Sequence, residues 1–178
     1  MGLNGRLPSP SAAGKVSLQQ PKTKEMYAME NTDVLAEFRA TFQLERLSVL
    51  ETGYWVLSVR PGQLTLGSMV LSSARGVLHF AELNQEEGQS LAYMLGLAEK
   101  TARELFGAVR INAVCLMMKD PVIHFHLLPR YDQSLERYGT QWMDSDWPGP
   151  PVFQPVQTPE HVLEAIKEDI AAWINHNN

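Results

Sequence analysis

Two histidines separated by one residue, His124 and His126, have the side-chain type and spacing to do chemistry in this sequence. They stand in the stretch AVCLMMKDPVIHFHLLPRY, Ala113 to Tyr131, inside an alternating pattern closed by Pro129 and Arg130. Side chains alternate across a strand, so Val122, His124, His126 and Leu128 share one face, and Ile123, Phe125 and Leu127 turn inward on the other. Positions i and i+2 of a strand lie about 6–7 Å apart, which lets both imidazoles touch one phosphate group or one metal ion. A neutral imidazole is a nucleophile near neutral pH. It is equally an ordinary residue of a polar strand face, and the spacing alone does not choose. No further cysteine, histidine or carboxylate stands at zinc-binding spacing beside the pair, so neither a metal nor any other cofactor is expected.

A hairpin is predicted to present the pair. Val109 to Met118 reads as a buried strand from its apolar density, and Lys119-Asp120-Pro121 as a tight turn into the histidine strand. Asn112 lies in the first of these strands, its amide directed either into the site or to solvent. Upstream, Asn84-Gln85-Glu86-Glu87 has the form of a capping box. Leu91, Met94, Leu95, Ala98, Ala102, Leu105 and Phe106 then hold helical spacing up to Gly107, predicting a long helix over one sheet face. Before it, Leu44 to Leu50 and Tyr54 to Val59 read as a hairpin turning at Glu51-Thr52-Gly53. Arg60-Pro61-Gly62-Gln63 is a turn, and Leu66 to Ser72 a third strand. Gly67 either lets a ligand or backbone approach closely or marks a bulge or the start of the strand.

The ends are simpler. Thr32 or Asp33 is predicted to cap a short helix through Phe42, with Val34, Leu35, Phe38 and Phe42 on one stripe. From Tyr131 to Pro155 a Tyr-, Trp-, Asp-, Pro- and Gly-rich segment reads as a loop wrapping the domain. Thr158-Pro159-Glu160 opens a last helix with Val162, Leu163, Ile166, Ile170, Trp173 and Ile174 facing inward.

A chain of 178 residues, 44% hydrophobic and 20% charged, is a single globular domain by size and composition. We assign residues 32–178 to it, with a C-terminal extension from about residue 131, and residues 1–31 to a disordered tail rich in Ser, Pro, Gly, Gln and Lys. A net charge of −5 excludes a general affinity for a nucleic-acid polymer and leaves small phosphate compounds as partners. No apolar run is long enough for a membrane span. The single Cys115 cannot form an intramolecular bridge and is expected in the core of a protein from a reducing compartment, hence cytoplasmic.

These residues and their order resemble the histidine-triad (HIT) family, in its diadenosine tetraphosphate hydrolase-like branch. The family motif is His-φ-His-φ-His-φ-φ, often followed by Pro-Arg. Anchored on His126-Leu127-Leu128-Pro129-Arg130, it makes His126 the third histidine and His124 the central one, and it leaves Val122 where the first would stand. Leu66-Gly67-Ser68-Met69-Val70-Leu71 resembles the family's Gly-His-φ-φ-Val-φ strand with Ser68 at the histidine position. Ser58 falls near the position from which members present a polar group to a ribose. The resemblance runs from about Phe42 to Arg130 and implies an α+β, HIT-like fold: an antiparallel sheet of about five strands with a long helix packed on it and a C-terminal helix. It also implies a homodimer.

The resemblance further implies a nucleotidyl hydrolase or transferase acting on a small-molecule nucleotide. Cleavage would occur at the α-phosphate of a dinucleoside polyphosphate or nucleoside phosphoramidate, through a nucleotidyl-histidine intermediate. His124 would be the nucleophile, His126 the donor to the phosphoryl oxygens, and Asn112, Ser68 and Ser58 the substrate-binding residues. Val122 is expected to alter leaving-group preference. A non-catalytic nucleotide-binding protein of the same fold is the alternative. Arg130, just after the motif, is read as half of a surface salt bridge, with attraction of polyphosphate as the other reading.

Overall fold

The computed structural model describes residues 24–154 and 156–177. Five strands, β1 (Ser48–Glu51), β2 (Trp55–Val59), β3 (Met69–Ser73), β4 (Arg110–Val114) and β5 (His124–Arg130), form one antiparallel sheet. Their spatial order is β1-β2-β3-β5-β4, which places the histidine strand inside the sheet. The domain is α+β, as the sequence predicts.

One face of the sheet carries the larger core. Trp55, Leu57, Val59, Met69, Leu71, Ile123 and Leu127 pack there against Met94, Ala98 and Ala102 of α3 (Gln85–Phe106) and Ile166, Ile170 and Ile174 of α4 (Glu160–Asn177). The start of α3 is the predicted capping box: Asn84 Oδ1 accepts from the Glu87 amide at 2.8 Å, and Glu87 Oε2 accepts from the Asn84 amide at 2.8 Å. Glu87 also pairs with Arg75 and its carbonyl accepts from the Trp55 indole at 2.9 Å, so the box fastens the helix to the sheet. Gly107 ends the helix at φ 73°.

The opposite face, the histidine face, is covered as well. α1 (Lys24–Thr41) lies over it, and Phe38 and Phe42 join Leu44, Val56, Val70 and Val122 in a second apolar cluster. The helix begins eight residues before the predicted cap at Thr32, because Lys24 to Glu30 are good helix formers and carry the helix through Thr32 and Asp33. The part of the tail before residue 24, expected to be disordered, lies outside the described residues.

Five other expectations are corrected. Leu44–Leu47 is not strand but a helical turn, α2, because in that conformation both Leu44 and Leu47 are buried, one in each apolar cluster, and β1 starts only at Ser48. The strand predicted over Val109 to Met118 ends at Val114 and is half-exposed, since β4 is the sheet edge, and Leu116 and Met118 beyond it are exposed. No tight turn joins it to β5. The connection over residues 115–123 instead reaches back to the loop after β3, where the Ile123 amide donates to the Val77 carbonyl at 2.7 Å. Cys115, in this connection, is half-buried rather than in the core. The segment after Tyr131 contains a small hairpin, β6 (Leu135–Arg137) and β7 (Thr140–Trp142), turning at Tyr138 (φ 55°) and Gly139 (φ 67°).

At Gly67 the close approach is made by a side chain and not by backbone. Gly67 sits at φ 74°, and a Cβ there would lie 2.6 Å from the Phe106 ring at the end of α3. Gly67→Ala is expected to lower the unfolding free energy by more than about 1 kcal/mol through the left-handed backbone and the clash. Urea denaturation checks this, and an unchanged midpoint refutes it.

Candidate active site

The register of the sheet builds the site. Ser72 is opposite His124, Val70 opposite His126 and Ser58 opposite Val70, so side chains of three neighbouring strands share one face. The pair itself is tightly set. His124 Nδ1 lies 2.7 Å from the Val122 carbonyl oxygen, which only accepts, so Nδ1 carries the hydrogen and Nε2 of the neutral ring carries a lone pair. That lone pair faces His126 Nε2 at 3.3 Å, with the two rings nearly perpendicular at 89°. With His124 Nε2 restricted to accepting, the hydrogen between the rings belongs to His126 Nε2, and His126 Nδ1 is left as an acceptor.

Both rings are held neutral. Burial pushes His126 down to about 3, with the neighbouring His124 and Arg60 adding to the effect, and burial likewise lowers His124 against the hydrogen bond to Val122. His124 is fully buried and His126 is 7% exposed. The roof is aromatic: ring centroids of Phe38 and Phe42 lie 5.1 and 5.4 Å from His124, and those of Phe42 and Phe153 lie 5.9 and 5.2 Å from His126. Val122, in the place of a first histidine, adds a buried apolar side chain to the same cover.

The remaining predicted residues divide. Ser58 is on the histidine face, its hydroxyl turned to the Val70 carbonyl at a long 3.4 Å. Asn112 is on that face too, but its Oδ1 accepts from Arg130 at 2.7 Å. The Ser68 hydroxyl donates to the Thr65 carbonyl at 2.7 Å and accepts from the Thr65 amide at 3.2 Å, closing a turn. Arg130 forms its salt bridge in the interior, not on the surface. It is 3% exposed and bonds Asp144 at 2.6 and 3.1 Å, Asn112, and the Gly149 carbonyl at 3.0 Å. These contacts engage its Nε, Nη1 and Nη2, a buried form of the salt-bridge reading.

Two polar residues of this face were not read from the sequence. Arg60, one residue past β2 and the first residue of the predicted turn, keeps the side of Ser58; Ser72 ends a strand whose alternation sets Ser68, Val70 and Ser72 on one side. Period two was the available signal for both. Arg60 Nε, Ser72 Oγ and His126 Nδ1 are buried side-chain atoms without a hydrogen-bond partner, and all belong to this face. Such groups are costly to bury unpaired, so the cluster has the character of a site for a polar ligand. Among the described residues, no group of three His, Cys, Asp or Glu side chains is placed to hold a metal ion.

Comparison with solved structures gives the architecture its name. A histidine-triad protein from Marinobacter aquaeolei matches at TM-score 0.59 and 20% identity, over 76% of this chain and 95% of its own. One from Sinorhizobium meliloti matches at TM-score 0.58 and 19% identity, over 73% and 92%. The fold is the histidine-triad fold. A Plasmodium falciparum diadenosine triphosphate hydrolase in complex with cyclomarin A shares that fold at TM-score 0.51 and 16% identity, over 75% of this chain and 79% of its own. No family profile matches the sequence, and no curated protein does. Among the described residues no helix is long and apolar enough to cross a membrane.

Two measurements test this description of the site. His126 binds a proton more readily unfolded than folded, so stability is fully present above the ordinary value of 6.5 and falls as pH drops from there toward about 3. The slope of unfolding free energy against pH in that window is expected to be shallower in His126→Gln; an equal slope refutes the burial. Diethyl pyrocarbonate, which acylates neutral imidazole, is expected to modify His124 about tenfold faster in Phe42→Ala than in the unaltered protein if the rings seal it. Equal rates in a folded variant refute the seal.

Proposed function

We propose that this protein is a nucleotidyl hydrolase or transferase of the histidine-triad type, acting on a small-molecule nucleotide at its α-phosphorus. The observation that carries this reading is the fixed tautomer of His124, which commits Nδ1–H to the Val122 carbonyl and leaves the Nε2 lone pair beside a hydrogen-bond donor, His126 Nε2. In the first step the Nε2 lone pair of His124 forms a bond to phosphorus while the bond from phosphorus to the leaving group breaks, the leaving group keeping the electron pair. His126 Nε2–H moves from His124 to a phosphoryl oxygen, where it meets the charge that develops. In the second step a water oxygen attacks phosphorus, the N–P bond returns its electrons to Nε2, and a proton passes to solvent. Dinucleoside polyphosphates fit this sequence as written, nucleoside phosphoramidates fit it with a proton from solvent taken by the departing amine nitrogen, and the named activity of the Plasmodium protein of the same fold supports the class.

A non-catalytic nucleotide-binding protein is the second reading, favoured by Val122 at the first motif position and by the aromatic roof. A panel of both substrate classes, assayed for released nucleoside monophosphate, separates the two. Turnover that falls about a thousandfold or more in His124→Asn supports the enzyme; nucleotide affinity with no turnover by the unaltered chain supports the binding protein. We also propose that two copies associate as a homodimer, with sedimentation as its check.

A further inference from the structure

Arg60 is the uncompensated charge of the histidine face. Arg130, the buried arginine of the same sheet, has a carboxylate, an amide and a carbonyl around it. Arg60 is half-buried and makes one bond from its Nη1 to the Gly62 carbonyl, while Nε is buried with no partner. Burial alone shifts the group, pushing it below its ordinary value, and no carboxylate opposes the shift. A cation in this state fits an anion.

Space for one adjoins it. Thr41, Phe42, Arg60, Pro61, Gly62, Gln154 and Val156 line a depression of about 210 Å³. Phe42 separates this depression from the imidazoles, its ring lying 5.9 Å from that of His126, and Arg60 is close enough to depress His126 electrostatically. The two ends of the histidine row therefore differ. At the Val122 end the cover is apolar, and at the other end Arg60 lines an open hollow while its Nε stays buried and unpaired.

We propose that Arg60 binds the outgoing phosphate of a nucleoside polyphosphate and so makes the protein select anionic phosphate leaving groups over neutral amines. The inference rests on the proposed nucleotidyl chemistry and chooses between its two substrate classes. The guanidinium of Arg60 stabilises the negative charge that a departing polyphosphate carries away. An amine leaving group offers the guanidinium nothing.

The test compares the unaltered full chain with Arg60→Gln and Arg60→Lys, each checked for an unchanged unfolding midpoint. The ratio of kcat/KM for a dinucleoside polyphosphate to that for a nucleoside phosphoramidate is expected to fall about tenfold or more in Arg60→Gln and less in Arg60→Lys. An unchanged ratio overturns the proposal, even where both activities drop together. Calorimetric titration with inorganic tripolyphosphate gives a readout independent of turnover. Affinity lost about tenfold in Arg60→Gln upholds the anion subsite even if no nucleotide is cleaved, whereas no binding, or binding indifferent to Arg60, overturns it.

Discussion

The buried ion pair between Arg130 and Asp144 is the constraint on which the site depends. Two opposite charges withdrawn from water persist only when their hydrogen bonds are nearly all met, and removing one partner of such a pair costs about 3–5 kcal/mol. Here the guanidinium bonds both carboxylate oxygens, the Asn112 amide oxygen and the Gly149 carbonyl, while Asp144 also accepts from the Tyr131 amide. The pair fastens the end of β5 to edge strand β4 and to the segment after β7. A second anchor, from the Gln63 amide to the Thr158 hydroxyl at 3.0 Å, holds that segment further on. Phe153 lies between these anchors and is thereby laid against His126, with Gln154 and Val156 beside Arg60.

The chemistry of the histidines follows from packing more than from any charged neighbour. A carbonyl two residues back fixes one tautomer, and apolar rings keep both imidazoles uncharged. Neutral imidazoles can attack phosphorus; protonated ones cannot. The same rings fill the ground a ligand would occupy, so reactivity and closure have one cause.

The sequence carried the elements with strong local codes. Asn84 and Glu87 are read directly because the capping box satisfies its own backbone amides, and the stripe of α4 because its spacing matches its burial. The register of β5 was legible too, since alternation fixes which side chains share a face. What the sequence did not carry depends on partners distant in the chain. Leu44 and Leu47 suit one helical turn as well as a strand, and only burial against the core decides. Ser68 stood at a family position, yet Thr65 closes a turn around its hydroxyl. Arg130 looked exposed until Asp144, in a segment read as a loop, supplied a counter-charge.

The hydrogen shared between His124 and His126 has a consequence for the resting protein. The lone pair that would attack phosphorus is engaged by the donor that would assist the attack, so each ring screens the other. A nucleophile masked in this way is poorly available to stray electrophiles of the cell. In the proposed reaction it would be released by a group that offers His126 a better acceptor and His124 an electron-poor centre at the same moment, such as a phosphoryl group. The discrimination is built into a single N–N contact.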